Sequence, residues 1–126
     1  MKYLIYLITI IIIVYLQFVG TYMQKKADLK LVQEYLSIPV PVNTVNTANH
    51  FRIGDGSFVI WSDLNGTNKN IDFTKTKLEQ NGWKLVKTEN QTTNNVYYFE
   101  KNDLYYWVSD FLVTKNGWGE CIGYKK

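Results

Sequence analysis

Hydrophobic residues run without interruption through the first part of the chain. From residue 3 to residue 23 there is no charged side chain, and most positions hold Leu, Ile, Val or an aromatic residue. As an α-helix these 21 residues are about 31 Å long, because each residue adds about 1.5 Å. The apolar core of a bilayer is about 30 Å thick. The pattern therefore predicts a transmembrane anchor over residues 1–23, with residues 3–23 in the lipid bilayer.

Aromatic and basic side chains lie at the ends of this apolar run. Tyr3 and Tyr22 are placed where interfacial tyrosines are common, and Lys25 and Lys26 follow directly. We predict that these four residues hold the helix at the membrane surfaces. The alternative is a cleaved signal peptide, which has a shorter apolar stretch of about 7–15 residues and an Ala-x-Ala-like cleavage site. The residues around Gly20 fit that site poorly, so we expect an uncleaved, single-pass signal-anchor.

The charges that flank the anchor favour opposite orientations. Lys2 favours a cytoplasmic N-terminus, whereas Lys25, Lys26 and Lys30 favour the reverse, because positive residues are enriched on the cytoplasmic side. Since the segment before the helix is very short, we expect the N-terminus inside. The remainder of the chain is then extracytoplasmic (periplasmic), at the inner (cytoplasmic) membrane of a bacterium.

Beyond the anchor the hydrophobic pattern changes. Residues 24–38 predict a juxtamembrane helix, because apolar residues recur at spacings of three and four from Leu29 to Leu36. Residues 39–50 are rich in Pro, Asn and Thr and predict a linker. A folded domain is expected over residues 51–126.

This domain is predicted to be α+β. Its elements are, in order, a turn at 53–57, a strand at 57–61, a helix at 72–80, and strands at 83–89, 96–100, 104–113 and 118–124. The order β-α-β-β-β-β predicts an antiparallel sheet packed on one helix, with the last four strands as a meander.

Charge and cysteine content narrow the class of protein. Over residues 31–126, ten Lys and Arg balance ten Asp and Glu, so the overall charge of +3 arises before residue 31. A nucleic-acid-binding domain would concentrate basic side chains on its fold, and we expect no nucleic-acid partner. Cys121 is the single cysteine, which excludes an intrachain disulfide.

Catalytic and metal-binding interpretations have weak support. His50, the single histidine, would need an orienting partner such as Asp55 or Cys121 to act as a base, yet it follows a polar segment typical of solvated side chains. Residues 63–72 loosely resemble a calcium loop, but the glycine comes too early and the twelfth position is not acidic. We predict no enzymatic activity, no cofactor and no metal site.

Aromatic residues in the predicted hairpin after residue 95 are the strongest functional indication. Strand alternation leaves both faces of this hairpin apolar. Either other segments cover both faces, or one face binds a partner, since Tyr and Trp are enriched at interface hot spots. We predict partner binding by Tyr97, Tyr105 and Trp107, which share a face if a three-residue turn sets the register. A one-residue slip would exchange that set with Tyr98 and Tyr106.

The order of anchor, linker and compact domain is similar to that of small membrane-tethered immunity or inhibitor proteins. The resemblance implies a single domain that blocks a toxin or an enzyme by protein–protein binding. The alternative is a structural or accessory subunit of a membrane protein complex, with its specificity in the transmembrane helix. The anchor lacks the small-xxx-small spacing of tight helix pairs, which favours the tethered module.

Overall fold

The computed structural model of the protein describes residues 1–52 and 58–126. These fall into two compact units, residues 1–30 and residues 31–126. The turn predicted at 53–57, including the first residue of the strand predicted at 57–61, lies outside the described residues.

A single α-helix, α1, runs from Lys2 to Leu36. The predicted anchor and juxtamembrane helix are therefore continuous, as expected for a segment with neither Pro nor Gly between Met23 and Ser37. The helix is long and apolar enough to cross a membrane. In the first unit Tyr3 and Tyr22 are exposed, as are Lys25 and Lys26.

The second unit contains six strands and one further helix. These are β1 (Thr44–Arg52), β2 (Phe58–Gly66), α2 (Ile71–Gln80), β3 (Lys84–Asn90), β4 (Asn94–Lys101), β5 (Leu104–Phe111) and β6 (Gly117–Tyr124). The strands form one sheet in the order β1-β2-β6-β5-β4-β3, and every neighbouring pair is antiparallel. This confirms the predicted α+β class and the meander of the last four strands.

The segment predicted to be a linker, residues 39–50, contains most of β1, so the sheet has six strands and not five. Asn is depleted in strands, and the Asn-rich composition of the segment suggested a flexible connection. β1 nevertheless pairs with β2 along its whole length, from Thr44 opposite Gly66 to Arg52 opposite Phe58. Pairing with a neighbouring strand thus overrides the weak local propensity.

One face of the sheet packs against helices, and we call it the covered face. Leu31 near the end of α1 and Leu78 of α2 are fully buried in the same core as strand residues of this face. Those strand residues are Ile60, Leu64, Phe99, Leu104, Tyr106, Val108, Trp118 and Ile122. The end of α1 is also held by an ion pair, 3.1 Å long, between Glu34 and Lys101 of β4.

Local signals define both ends of α2. The Asn70 side chain accepts a hydrogen bond from the backbone N–H of Phe73 at 3.0 Å, which caps the first turn. Thr74 and Leu78, four residues apart, are the buried residues of the helix. Gly82 follows its end with a φ of +85°, a left-handed conformation that favours glycine.

Candidate functional site

The opposite face of the sheet, which we call the open face, carries the candidate site. Because paired residues of antiparallel strands point to the same side of a sheet, the strand register identifies which side chains lie there. One row across all six strands contains Asn49, Trp61, Cys121, Trp107, Tyr98 and Lys87. Tyr105 and Phe111 occupy alternate positions of β5 on the same face. Among the side chains that the structure describes, five aromatic ones therefore lie on the open face: Trp61, Tyr98, Tyr105, Trp107 and Phe111.

Glycines on β6 make room for these rings. A Cβ atom added to Gly119 would lie 3.1 Å from Cζ2 of Trp61 and 3.1 Å from Cζ of Phe111, and one added to Gly123 would overlap the ring of Tyr105. Trp61 comes from β2, on one side of β6, and the other two rings come from β5, on the opposite side. The rings thus lean over β6 from both sides and cover its backbone.

Three of the rings form a connected cluster, the aromatic cluster, made of Tyr98, Tyr105 and Trp107. The ring centroids of Tyr105 and Trp107 are 5.0 Å apart, and those of Tyr98 and Trp107 are 5.3 Å apart at an interplanar angle of 74°. Both distances lie in the range at which aromatic pairs attract each other. Trp107 is 38% exposed and its two neighbours are half-buried, so Trp107 presents the cluster to solvent.

Paired charges lie beside the aromatic cluster. The hydroxyl of Tyr98 donates to Glu89 at 2.9 Å, and Glu89 also forms an ion pair with Lys87. The hydrogen bond from Lys87, followed by that from Tyr98, holds the pKa of Glu89 below its usual value. Glu100, on the same face, pairs with Lys125 at 3.2 Å. These contacts leave the border of the cluster polar and locally balanced in charge.

The structure places two of the three predicted partner-binding residues on this face. Tyr105 and Trp107 lie there, but Tyr97 lies on the covered face, where it pairs with Val108 and where the ammonium group of Lys75 is 4.4 Å from its ring centroid. The prediction that the three share a face is therefore wrong.

The length of one turn explains the error. The register pairs Lys101 with Leu104, so the connection is the two residues Asn102 and Asp103 and not three. Asn102 has a φ of +53°, as tight two-residue hairpin turns require. The shift of one residue brings Tyr98 into the cluster in place of Tyr97.

His50 and Cys121 lie on opposite faces of the sheet. His50 pairs with Ile60 and packs against Phe58 on the covered side, with ring centroids 5.5 Å apart. Cys121 pairs with Trp61 on the open side, and burial raises the pKa of its thiol to about 11. Asp55 is outside the described residues. Among the described residues, no three His, Cys, Asp or Glu side chains are grouped to hold a metal ion.

A buried carboxyl group, that of Glu120, lies on the covered face. It was not among the predicted functional residues. Glu120 accepts hydrogen bonds from the hydroxyl of Tyr106 at 2.5 Å and from Nε1 of Trp118 at 3.2 Å. Burial raises its pKa, and these two hydrogen bonds partly oppose the shift. Burial, and then the neighbouring Glu120, raise the pKa of Tyr106 well above its usual value. The alternation of Trp118, Glu120 and Ile122 along β6 is the sequence signal for this inward position.

A second polar contact joins the end of α1 to the sheet near this group. The hydroxyl of Tyr35 is hydrogen-bonded to the hydroxyl of Ser62, and Nδ2 of Asn46 donates to the Tyr35 oxygen at 2.7 Å. Ser62 lies opposite Glu120 in the sheet. Buried hydrogen-bonded networks of this kind fix one arrangement of the core, so we interpret this group as structural.

A shallow cavity of about 540 Å³ lies beside the start of α2. Its Lys69 forms an ion pair with Asp110 at 2.6 Å and donates to the carbonyl oxygen of Phe111 at 2.9 Å. Since this ammonium group is already neutralised, the open face remains the stronger candidate site.

No family model matches the chain, and no curated protein or solved structure was found to be similar to it.

Proposed function

We propose that the chain is a membrane-tethered binding module of the bacterial envelope, of the inhibitor or immunity type, whose open face binds a protein partner. The observation that carries the proposal is the aromatic cluster of Tyr98, Tyr105 and Trp107. It lies on the face of the sheet opposite to the one that packs against Leu31 and α2, and Trp107 is exposed at its surface.

The composition of the open face supports a protein partner. Protein interfaces combine a centre enriched in aromatic residues with a polar rim, which is the arrangement of the cluster beside the pairs Lys87–Glu89 and Lys125–Glu100. Contacts between the rings restrict their motion before binding. A partner would therefore lose little free energy in ordering them.

The apolar part of α1 supports the tether. We propose that it holds the protein in the inner membrane with the second unit outside the cytoplasm. A tether raises the local concentration of a binding domain near partners at the same membrane, so a modest intrinsic affinity gives high occupancy.

The alternative is a structural or accessory subunit of a membrane complex, assembled through α1. Its support is the long run of exposed apolar side chains on this helix. Replacing residues 3–23 by an unrelated transmembrane helix separates the two proposals. A tethered module keeps its partner after the exchange, whereas a subunit assembled through α1 loses it.

The direct test of the open face uses Trp107→Ala, with Tyr97→Ala as the matched control. Both positions carry aromatic side chains and are near each other, but Tyr97 is on the covered face. The partner is first identified by photo-crosslinking the full chain through a reactive group at Trp107, in membranes of the source organism. Affinity for that purified partner is then measured for both variants.

We expect Trp107→Ala to weaken binding by at least about thirtyfold, the effect of removing a hot-spot aromatic, and Tyr97→Ala to leave the affinity unchanged. Thermal unfolding of each variant accompanies the measurement. The proposal fails if a folded Trp107→Ala chain binds as tightly as the wild type, or if both folded variants lose affinity equally.

A further inference from the structure

The two edges of the six-stranded sheet are built differently. β1 forms one edge and β3 forms the other. An edge strand has a row of backbone N–H and C=O groups directed away from the sheet, and these groups can pair with another strand. Proteins usually block such pairing with charged residues, prolines or bulges.

β3 has two of these blocking features. Its register with β4 shifts between Leu85 and Lys87, which marks a bulge or irregularity. Its seven residues include three charged ones, Lys84, Lys87 and Glu89. This edge is therefore protected against strand addition.

β1 has none of these features over most of its length. Its nine residues, Thr44–Arg52, pair with β2 in an unbroken register. Arg52, at the very end, is its only Lys, Arg, Asp or Glu, and both nearby prolines precede the strand. Residues 45–50 are exposed. The β1 edge is thus long, regular and nearly uncharged.

We propose that β1 binds a second copy of this chain through antiparallel pairing with the β1 strand of that copy. Two six-stranded sheets would then form one continuous sheet of twelve strands. The pairing register that we assign is centred on Ala48, so that each Ala48 lies opposite the other across a twofold axis.

This register suits self-pairing. It places Thr44 opposite Arg52 and Asn46 opposite His50, so no two charged side chains of the same sign meet. Like charges directly opposite each other would destabilise a strand pair. Ala48, at the centre, has a side chain small enough to allow close approach of its symmetry mate. A negatively or positively charged partner strand would gain little from this nearly neutral edge.

Pairing would also compensate for a weakness of the strand itself. β1 contains two Asn residues, Asn46 and Asn49, and Asn has low strand propensity. As an edge strand it has one neighbour, and a second copy would make it an interior strand. The pairing uses the edge and leaves the open face accessible, so it is independent of the function proposed above.

Disulfide cross-linking tests the register directly. In antiparallel pairs, opposite Cα atoms are about 4.5–5.5 Å apart, and disulfides form at about 4.4–6.8 Å. We expect full-length Ala48→Cys in membranes to form a disulfide-linked dimer under mild oxidation. Thr88→Cys, an exposed position on β3, is the matched control and should give at least about tenfold less dimer. The unsubstituted chain, whose Cys121 is buried, gives the background.

A charge substitution tests the association without an oxidant. Ala48→Lys would place two ammonium groups opposite each other, and repulsion at such distances weakens association by about tenfold or more. Thr88→Lys adds the same charge to the other edge and should have no effect. The oligomeric state of the detergent-solubilised full chain is measured by analytical ultracentrifugation.

The proposal is overturned if the wild-type chain is monomeric and Ala48→Cys cross-links no better than Thr88→Cys. Cross-linking at Asn49→Cys but not at Ala48→Cys would support β1 pairing and overturn the register. If Ala48→Lys does not fold, the cross-linking result decides alone. An Ala48→Lys chain that no longer dimerises but still binds its partner would show that dimerisation and the proposed function are independent.

Discussion

Adding one methyl group at Gly123 tests whether the ring of Tyr105 covers β6 on the open face. We expect Gly123→Ala to displace the ring of Tyr105, because the new Cβ would overlap its hydroxyl end. Gly123 does not have a positive φ, so its backbone conformation suits alanine. The conflict is therefore with the ring and not with the backbone.

The size of the effect follows from two opposing contributions. If the ring of Tyr105 swings into solvent, roughly 60 Å² of apolar surface is exposed, which destabilises the fold by about 1.5 kcal/mol at about 25 cal/mol per Å². Replacing Gly by Ala lowers the entropy of the unfolded chain and stabilises by about 0.4–1 kcal/mol. The free energy of unfolding should thus fall by about 0.5–1 kcal/mol.

The effect of Gly123→Ala on the free energy of unfolding should change sign in a chain that lacks the Tyr105 ring. In a Tyr105→Ala chain the added methyl group meets no ring, so Gly123→Ala should stabilise by about 0.4–1 kcal/mol. The four chains form a double-mutant cycle with a coupling energy of about 1.5 kcal/mol. Urea unfolding of the full chain in detergent, followed by tryptophan fluorescence, measures it. Equal effects of Gly123→Ala in the two backgrounds would refute the view that Tyr105 covers β6.

Two further predictions concern the covered side. Burial raises the pKa of Glu120, so the folded state binds a proton more readily than the unfolded state. The contribution of Glu120 to stability is therefore greatest below the ordinary carboxyl pKa and is lost as the pH rises through the raised pKa. Glu120→Gln should remove this loss. Urea unfolding across this pH range should therefore show the stability of the variant rising relative to that of the wild type as the pH increases. Parallel pH dependences of the two free energies of unfolding would contradict this prediction. Asn70→Ala should destabilise by about 1 kcal/mol through loss of the α2 cap, with Asn70→Ser recovering most of it; equal unfolding midpoints for the two variants would count against the cap.

Several elements were predictable because strong local signals mark them. The long apolar helix at the start of α1 follows from an uncharged run of 21 residues. α2 is predictable because Asn81 and Gly82 mark its end, and Gly82 has the left-handed conformation that favours glycine at such a stop. The meander followed from short polar turns between strands, which leave antiparallel neighbours as the simplest connection. In each case the information lies within a few residues.

Contacts distant in sequence explain why β1 and the burial of Glu120 were not predicted, and the length of one turn explains the wrong face of Tyr97. β1 is a strand because β2 lies beside it, and its own Asn and Thr residues resemble a linker. The predicted face of Tyr97 is wrong because the turn at Asn102 and Asp103 has two residues and not three, and a shift of one residue exchanges the two faces of a strand. Glu120 could be placed inward by alternation, but its burial depends on α1 and α2 covering that face.

The aromatic residues of the open face, which indicate a binding surface, also have a structural role. An antiparallel sheet that packs on helices at one face commonly exposes its other face to solvent, and large side chains there can cover the backbone. Here Trp61 and Phe111 lie over Gly119, and Tyr105 lies over Gly123, so most of the rings form the cover of β6. Substituting Trp61 or Phe111 should therefore reduce stability more than binding.

Trp107 differs from the other rings of the open face. It lies opposite Cys121 in the sheet, where there is no glycine to cover, and it is the most exposed of the five. Its contacts with Tyr98 and Tyr105 position it without burying it. Such a side chain adds less to folding than the buried rings and keeps apolar surface available for a partner. The same row of the sheet thus contains rings that stabilise the domain and one ring suited to recognition, which is why Trp107 is the substitution that best separates binding from folding.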